Sequence, residues 1–169
     1  LSETGAAILL ISHDINLARG CADRIAVFRA GEIVEIGETR QIFENPRREY
    51  TKLLLAAVSN AKEFQSEETK NEIVLEAKNL SKIYGAGASK IRAVRRADLT
   101  VRKGEIVGIC GASGGGKSTL LRLLATIETP TDGEVFLENE LAASGDSGKL
   151  LSKKARKGFV MPIFQDPLS

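Results

Sequence analysis

Nine consecutive residues constrain this chain more than any others: Gly111-Ala112-Ser113-Gly114-Gly115-Gly116-Lys117-Ser118-Thr119. Glycines at this density remove the Cβ atoms that would keep successive backbone N–H groups from converging on one anion-sized hollow. An apolar strand, Glu105 to Cys110, runs into the loop, and Lys117 to Ile127 leaves it with the spacing of an amphipathic helix. That order of strand, loop and helix aims the partial positive charge of a helix N-terminus at the same hollow. The stretch therefore reads as a phosphate-binding loop of the form G-x-x-x-x-G-K-[ST], with the whole of Gly111 to Thr119 in contact with a nucleotide. Lys117 supplies a mobile cation for β- and γ-phosphates, and the Ser118 hydroxyl is a ligand for Mg²⁺. A bare glycine-rich surface loop would require neither Lys-Ser-Thr in register nor both flanks.

Composition narrows the remaining choices. The 169 residues are 43% hydrophobic and carry 24 Lys+Arg against 22 Asp+Glu, a net charge of +2. So even a balance gives no general attraction to nucleic acid or to an anionic membrane. Aromatics make up 5% with no Trp, which argues against a base-stacking RNA platform. The longest apolar run, Gly5 to Ile11, falls short of the roughly 18–20 residues that span a bilayer. Cys21 and Cys110 offer neither a disulfide framework nor a metal-ligand spacing, and a reducing, cytosolic setting fits them.

Along the chain, Gly5–Ile11 reads as a strand buried on both faces, after which Asp14 caps a short helix through Ala22. Arg24–Phe28 and Glu32–Ile36 form a hairpin about Arg29-Ala-Gly31; Thr39 caps a helix over Arg40–Glu44, stopped by Asn45-Pro46. Tyr50–Val58 is a further helix with Leu53, Leu54 and Ala57 on one face. Ser59 to Glu72 holds a single aromatic, Phe64, and reads as a linker. Strands resume at Ile73–Ala77, Ala93–Val101 and Glu134–Leu137. Residues 139 to 158 read as polar and irregular, with a basic stretch over Lys149, Lys153, Lys154, Arg156 and Lys157, before a last strand at Val160–Phe164.

Further motifs fall in an order that resembles the ATP-binding-cassette (ABC) ATPases. Tyr84 in Ile83-Tyr84-Gly85 stands where that family places an aromatic that stacks on adenine, although such a tyrosine also reads as a half-buried strand residue. Phe164-Gln165-Asp166-Pro167 resembles the Q-loop, whose glutamine, here Gln165, reaches Mg²⁺ and the attacking water. Leu9-Leu-Ile-Ser-His13-Asp14 resembles the switch region, in which the histidine, here His13, contacts the γ-phosphate and orients the water. The resemblance implies an α/β fold of P-loop NTPase (ABC ATPase) architecture with an antiparallel β part, ATP and Mg²⁺ as cofactors, and His13, Lys117 and Gln165 as the catalytic set.

The switch histidine normally follows the phosphate loop, whereas here it precedes it, with the linker between. The resemblance therefore implies the tail of one cassette (1–58), a linker (59–72) and the head of a second (73–169), both incomplete. Asn45-Pro46-Arg47-Arg48-Glu49-Tyr50-Thr51 resembles the tail of oligopeptide, dipeptide and nickel importer ATPases, with Arg48-Glu49 where His-Pro is common. The opening at Leu1 and the close at Ser169 read as an internal piece of a longer chain. Neither a Leu-Ser-Gly-Gly-Gln signature nor an apolar strand ending in Asp-Glu is present, so the segment is expected to bind ATP without hydrolysing it.

On this reading the partners are transmembrane permease subunits, an extracytoplasmic solute-binding protein, and a second cassette of the same chain or a dimer partner. The location is the cytoplasmic face of the inner membrane, peripherally bound, and the solutes are peptides or similar molecules. Two alternatives stand beside it: a soluble ABC protein acting on ribosomes or DNA, and a truncated remnant. The linker, with Glu63, Glu67, Glu68 and Glu72 against Lys62 and Lys70, opposes a nucleic-acid partner. His13 and Lys117 are expected to serve different sites, although a packing of the His13 strand beside the Cys110 strand would make a permuted partial cassette.

Overall fold

The computed structural model describes residues 6–57 and 72–150. The linker over 59–71, the strand read at Val160–Phe164, and Gln165 lie outside the described residues.

Two four-stranded sheets organise the chain. The first runs in the order β1 (Ile8–Ser12), β6 (Ile106–Cys110), β2 (Arg24–Arg29), β3 (Glu32–Glu38). Its first three strands are parallel, and β3 turns back antiparallel on β2. β6 lies between β1 and β2, so strands from before and after the linker stretch share one sheet. Ser12 pairs with Cys110 and Val27 with Cys110 on the other side. The second sheet is antiparallel, in the order β5 (Ile91–Arg102), β4 (Ile73–Tyr84), β7 (Asp132–Leu137), β8 (Glu140–Ser144).

Alternation along β2 and β6 divides the core. Ala26, Phe28, Val107 and Ile109 face the antiparallel sheet and helix α4 (Lys117–Leu124), where Leu80, Val94, Leu120, Leu123, Leu124 and Val135 complete one cluster. Ile25, Val27 and Cys110 face the other way, against α1 (Ile15–Arg19) and α2 (Thr39–Glu44), through Ile15, Ala18 and Ile42. Strands buried on both faces carry near-continuous apolar runs for this reason. Each large side chain fully removed from water here contributes about 1.5–3 kcal/mol.

The halves are also joined through polar groups. Arg24 pairs with the buried Glu105 at 3.0 Å and donates to the Thr100 carbonyl, while the Asp23 carboxylate accepts from the Ile106 amide at 2.6 Å.

Local expectations were met unevenly. The Asp14 carboxylate accepts from the Asn16 amide and starts α1, which ends at Arg19 rather than Ala22. Thr39 does not cap α2; its hydroxyl donates to the Ala22 carbonyl at 2.5 Å, and the N-cap position is Glu38. In α3 (Glu49–Ala56), Leu53 is 68% exposed while Leu54 packs on the core. The polar stretch after 139 hides strand β8, whose small residues Ala142, Ala143 and Ser144 are buried beside β7.

Candidate functional site: a phosphate cradle between two sheets

β6 delivers the glycine-rich loop at the end of the parallel sheet, and α4 carries it away. Gly111 has φ +155° and backs directly onto the Phe28 carbonyl; a Cβ there would collide with it. Gly116, the N-cap of α4, has φ +97°, and its Cβ would strike the carbonyl of Ala93. Both positions demand glycine on backbone angle and on space.

Hydrogen bonds brace the loop from outside. The Gly31 amide, in the turn between β2 and β3, donates to the Gly115 carbonyl at 3.0 Å, and the Gly31 carbonyl accepts from the Arg95 amide at 2.6 Å. The β2–β3 turn therefore links the loop to β5. A register irregularity puts Ala93 opposite no residue of β4, which lets its backbone approach Gly31 and Gly116.

Lys117 closes over the loop. Its ammonium donates to the Gly111 carbonyl at 2.9 Å and the Ala112 carbonyl at 2.8 Å. Burial lowers its pKa. Burial likewise pushes the Cys110 thiol up to about 12, so at neutral pH it is an uncharged neighbour. Beside the loop lies an open cavity of roughly 380 Å³, lined by Gly114 to Thr119 on one side, by Ile91, Arg92, Ala93 and Arg95 on the other, and by Ala30 and Gly31. Two glycines with no room for a Cβ, a helix N-terminus and a lysine already held by two oxygen acceptors fit a polyphosphate. Ser118 lines the same cavity, where its hydroxyl would be a Mg²⁺ ligand alongside phosphate oxygens. Among the described residues no group of His, Cys, Asp and Glu could hold a metal ion by itself.

The remaining predicted residues are placed differently. His13 is exposed and follows Ser12, the partner of Cys110, so it leaves the sheet at the same end as Gly111. The strand that leads to His13 packs beside the Cys110 strand, the arrangement a permuted partial cassette requires, but His13 does not line the cavity that Lys117 lines. The Tyr84 hydroxyl donates to the Glu128 carboxylate at 2.8 Å. The Lys82 ammonium lies 5.4 Å from the Tyr84 ring centre and pairs with Glu128 at 3.0 Å. Burial and the Glu128 carboxylate raise the Tyr84 pKa. Tyr84 also stands outside the cavity lining. Sequence reasoning passed over Ile91, Arg92, Arg95 and the Ala30-Gly31 turn as wall residues. The turn itself was legible, but the irregularity that brings β5 to it was not.

Known proteins are similar to this chain over part or nearly all of its length. Residues 94–167 match the family model described as ABC transporter. A peptidoglycan transport ATP-binding protein, YejF of Agrobacterium fabrum, is 31% identical over 98% of this chain and 31% of its own length. A glutathione import ATP-binding protein, GsiA of Escherichia coli, is 29% identical over the same shares. A methionine import ATP-binding protein, MetN 3 of Oceanobacillus iheyensis, is 43% identical over 50% of this chain and 23% of its own. The ATP-binding cassette MJ0796, solved as a dimer with ADP and Pi, overlays on 49% of this chain and 33% of its own, at 34% identity and a TM-score of 0.41. The chain thus spans less than a third of the length of these curated relatives. It has the α/β, P-loop NTPase architecture of an ABC ATPase and is related, through residues 94–167, to the ATPase domains of ABC transporters.

Proposed function

We propose that this chain is the ATP-binding segment of an ABC importer ATPase, and that it binds MgATP at the Gly111–Thr119 loop without hydrolysing it. One observation carries the reading. Lys117 sits at the mouth of a glycine cradle with its ammonium on two loop carbonyls, a lysine that phosphate oxygens can recruit by exchange of like acceptors. Mg²⁺, held with the help of the Ser118 hydroxyl, would supply charge neutralisation to the triphosphate. Within the chain, the loop amides and α4 orient the triphosphate, and Lys117 balances its charge. His13 and Gln165 are the proposed γ-phosphate and Mg²⁺ contacts of intact cassettes, and Tyr84 the proposed aromatic neighbour of adenine.

The relatives cover 98% of this chain in one linear match, through both the His13 segment and the phosphate loop. That supports a tandem arrangement in which the tail of one cassette precedes the head of the next. In the intact protein, ATP binding and hydrolysis would drive uptake of peptides or similar solutes at the cytoplasmic face of the membrane, through permease subunits fed by a solute-binding protein. Among the described residues no helix is long and apolar enough to cross a membrane, consistent with peripheral attachment.

Isothermal titration of the 169-residue chain with MgATP tests the binding, and phosphate release tests the inactivity. Loss of a charge-assisted contact in Lys117→Ala should weaken ATP by roughly 10- to 100-fold. Equal affinity for both proteins would overturn the assignment of the cradle, and phosphate release above the Lys117→Ala background would overturn the inactivity.

A further inference from the structure

We infer that Glu128 is a positioning residue for the phosphate cradle, acting through the Tyr84 hydroxyl on Thr119 and the first turn of α4; this builds on the proposed ATP-binding reading. Beyond Leu124, where α4 ends, the chain doubles back. Thr126 stands at φ +51°, and the Arg122 carbonyl accepts the Ile127 amide at 2.9 Å and the Glu128 amide at 3.3 Å. Glu128 is thereby brought to the end of β4, where its two carboxylate oxygens are divided. Oε1 pairs with the Lys82 ammonium at 3.0 Å, and Oε2 accepts from the Tyr84 hydroxyl at 2.8 Å. Lys82 also donates to the Thr129 carbonyl at 2.7 Å, so β4 holds this turn at several points. The Lys82 and Glu128 side chains are only 15% and 26% exposed, which spares the pair much of the screening that weakens surface ion pairs.

From Tyr84 the contacts lead into the cradle. A phenol that gives its proton to Glu128 keeps lone pairs with which to accept, and its other hydrogen-bond partner is the Thr119 side chain. Thr119 lines the cavity beside the loop. The Leu120 amide donates to the Gly116 carbonyl at 2.9 Å and opens the ladder of α4. The amides of Lys117, Ser118 and Thr119 precede that bond and find no carbonyl within the helix. They are the donors that a helix N-terminus offers to phosphate.

Holding the Thr119 side chain in this way fixes the residue whose amide completes that set of donors. Groups that are ordered before a ligand arrives lose little freedom when it binds, so the relay raises affinity for a polyphosphate by preorganisation. The tyrosine ring takes no part in the relay; only its hydroxyl does. A contact between the ring and a base would act on ATP and leave a bare polyphosphate untouched. The two roles of Tyr84 are therefore separable by the choice of ligand.

The test measures displacement of a fluorescent ATP analogue from the full chain by ATP and by inorganic tripolyphosphate, which engages the cradle without a base. Tyr84→Phe keeps the ring and removes the hydroxyl. Glu128→Gln keeps the shape but has one acceptor oxygen where the carboxylate has two. Each should weaken ATP and tripolyphosphate in parallel by roughly 3- to 10-fold, in chains that urea titration shows to be folded. Because both variants break one relay, Glu128→Gln should change affinity by less than about twofold in the Tyr84→Phe background. Loss of ATP with tripolyphosphate unmoved, additive losses in the double variant, or lowered stability with affinity unchanged would each overturn the assignment. A wild-type chain that bound ATP but not tripolyphosphate would overturn it while sparing the ATP-binding reading. A chain that bound neither would remove that reading and this one with it.

Discussion

Gly116 stands at φ +97° with the Ala93 carbonyl where a side chain would begin, so the first turn of α4 and the β5 wall are fixed by the same atom that is missing. Gly116→Ala should cost roughly 1–3 kcal/mol in stability and abolish ATP binding, as read by urea unfolding and by titration of the surviving folded protein. Cys110 gives a prediction in pH. Its folded pKa is raised from 9.0 to about 12 by burial, so between those values the unfolded chain gives up a proton that the native chain keeps. Stability is therefore undiminished below pH 9.0 and falls as pH rises toward about 12; Cys110→Ala should make that decline shallower. Cys21 and Tyr84, also raised, add to the slope and leave a remainder. At this scale the phosphate loop was legible because its chemistry is local, held in consecutive residues. The contacts of Tyr84 were not, because Glu128 and Lys82 reach it through tertiary packing that no motif records.

Elements that depend on near neighbours were read well, and those that depend on distant cover were not. The hairpin β2–β3 and the strand before the loop follow from periodicity and a glycine turn. β8 escaped because Ala142 and Ala143 are small and acquire their burial from β7. Leu53 was misplaced because α3 turns it to solvent and buries Thr51 instead. The start of α3 rests on Glu35, a carboxylate in β3 that accepts the Arg47 amide at 2.9 Å and the Arg48 amide at 3.1 Å. Burial alone would raise its pKa, and the hydrogen bonds from Thr51, Arg47, Arg48 and Gln41 outweigh that and lower it. The contribution is present above the ordinary carboxylate pKa of 4.5 and is lost as pH falls through and below it. Glu35→Gln should cost about 1–2 kcal/mol at pH 7 and flatten the acid side of the stability profile, measured by urea titration at a series of pH values.

Across the whole molecule, the residues before and after the linker stretch build a common sheet, and each supplies part of the cradle. The Phe28 carbonyl and Gly31 come from the first segment, the phosphate loop and β5 from the second. Sequence reasoning admitted this packing but assigned the two segments to separate cassettes, since strand pairing between distant segments leaves no mark in either alone. The Arg24–Glu105 pair spans the junction with the glutamate side chain only 2% exposed. Glu105→Ala strands a partly buried guanidinium and should cost roughly 3 kcal/mol, with ATP affinity falling in step as the sheet loosens. The central claim is that these segments fold as one unit around a nucleotide cradle, and equilibrium urea unfolding of the 169-residue chain with and without MgATP tests it most directly. A single cooperative transition is predicted, raised by about 2.7 kcal/mol at 100 times the wild-type dissociation constant for the wild type and by only about 0.4–1.4 kcal/mol at the same concentration for Lys117→Ala. Two separate transitions, or a single one that MgATP leaves in place, would contradict it.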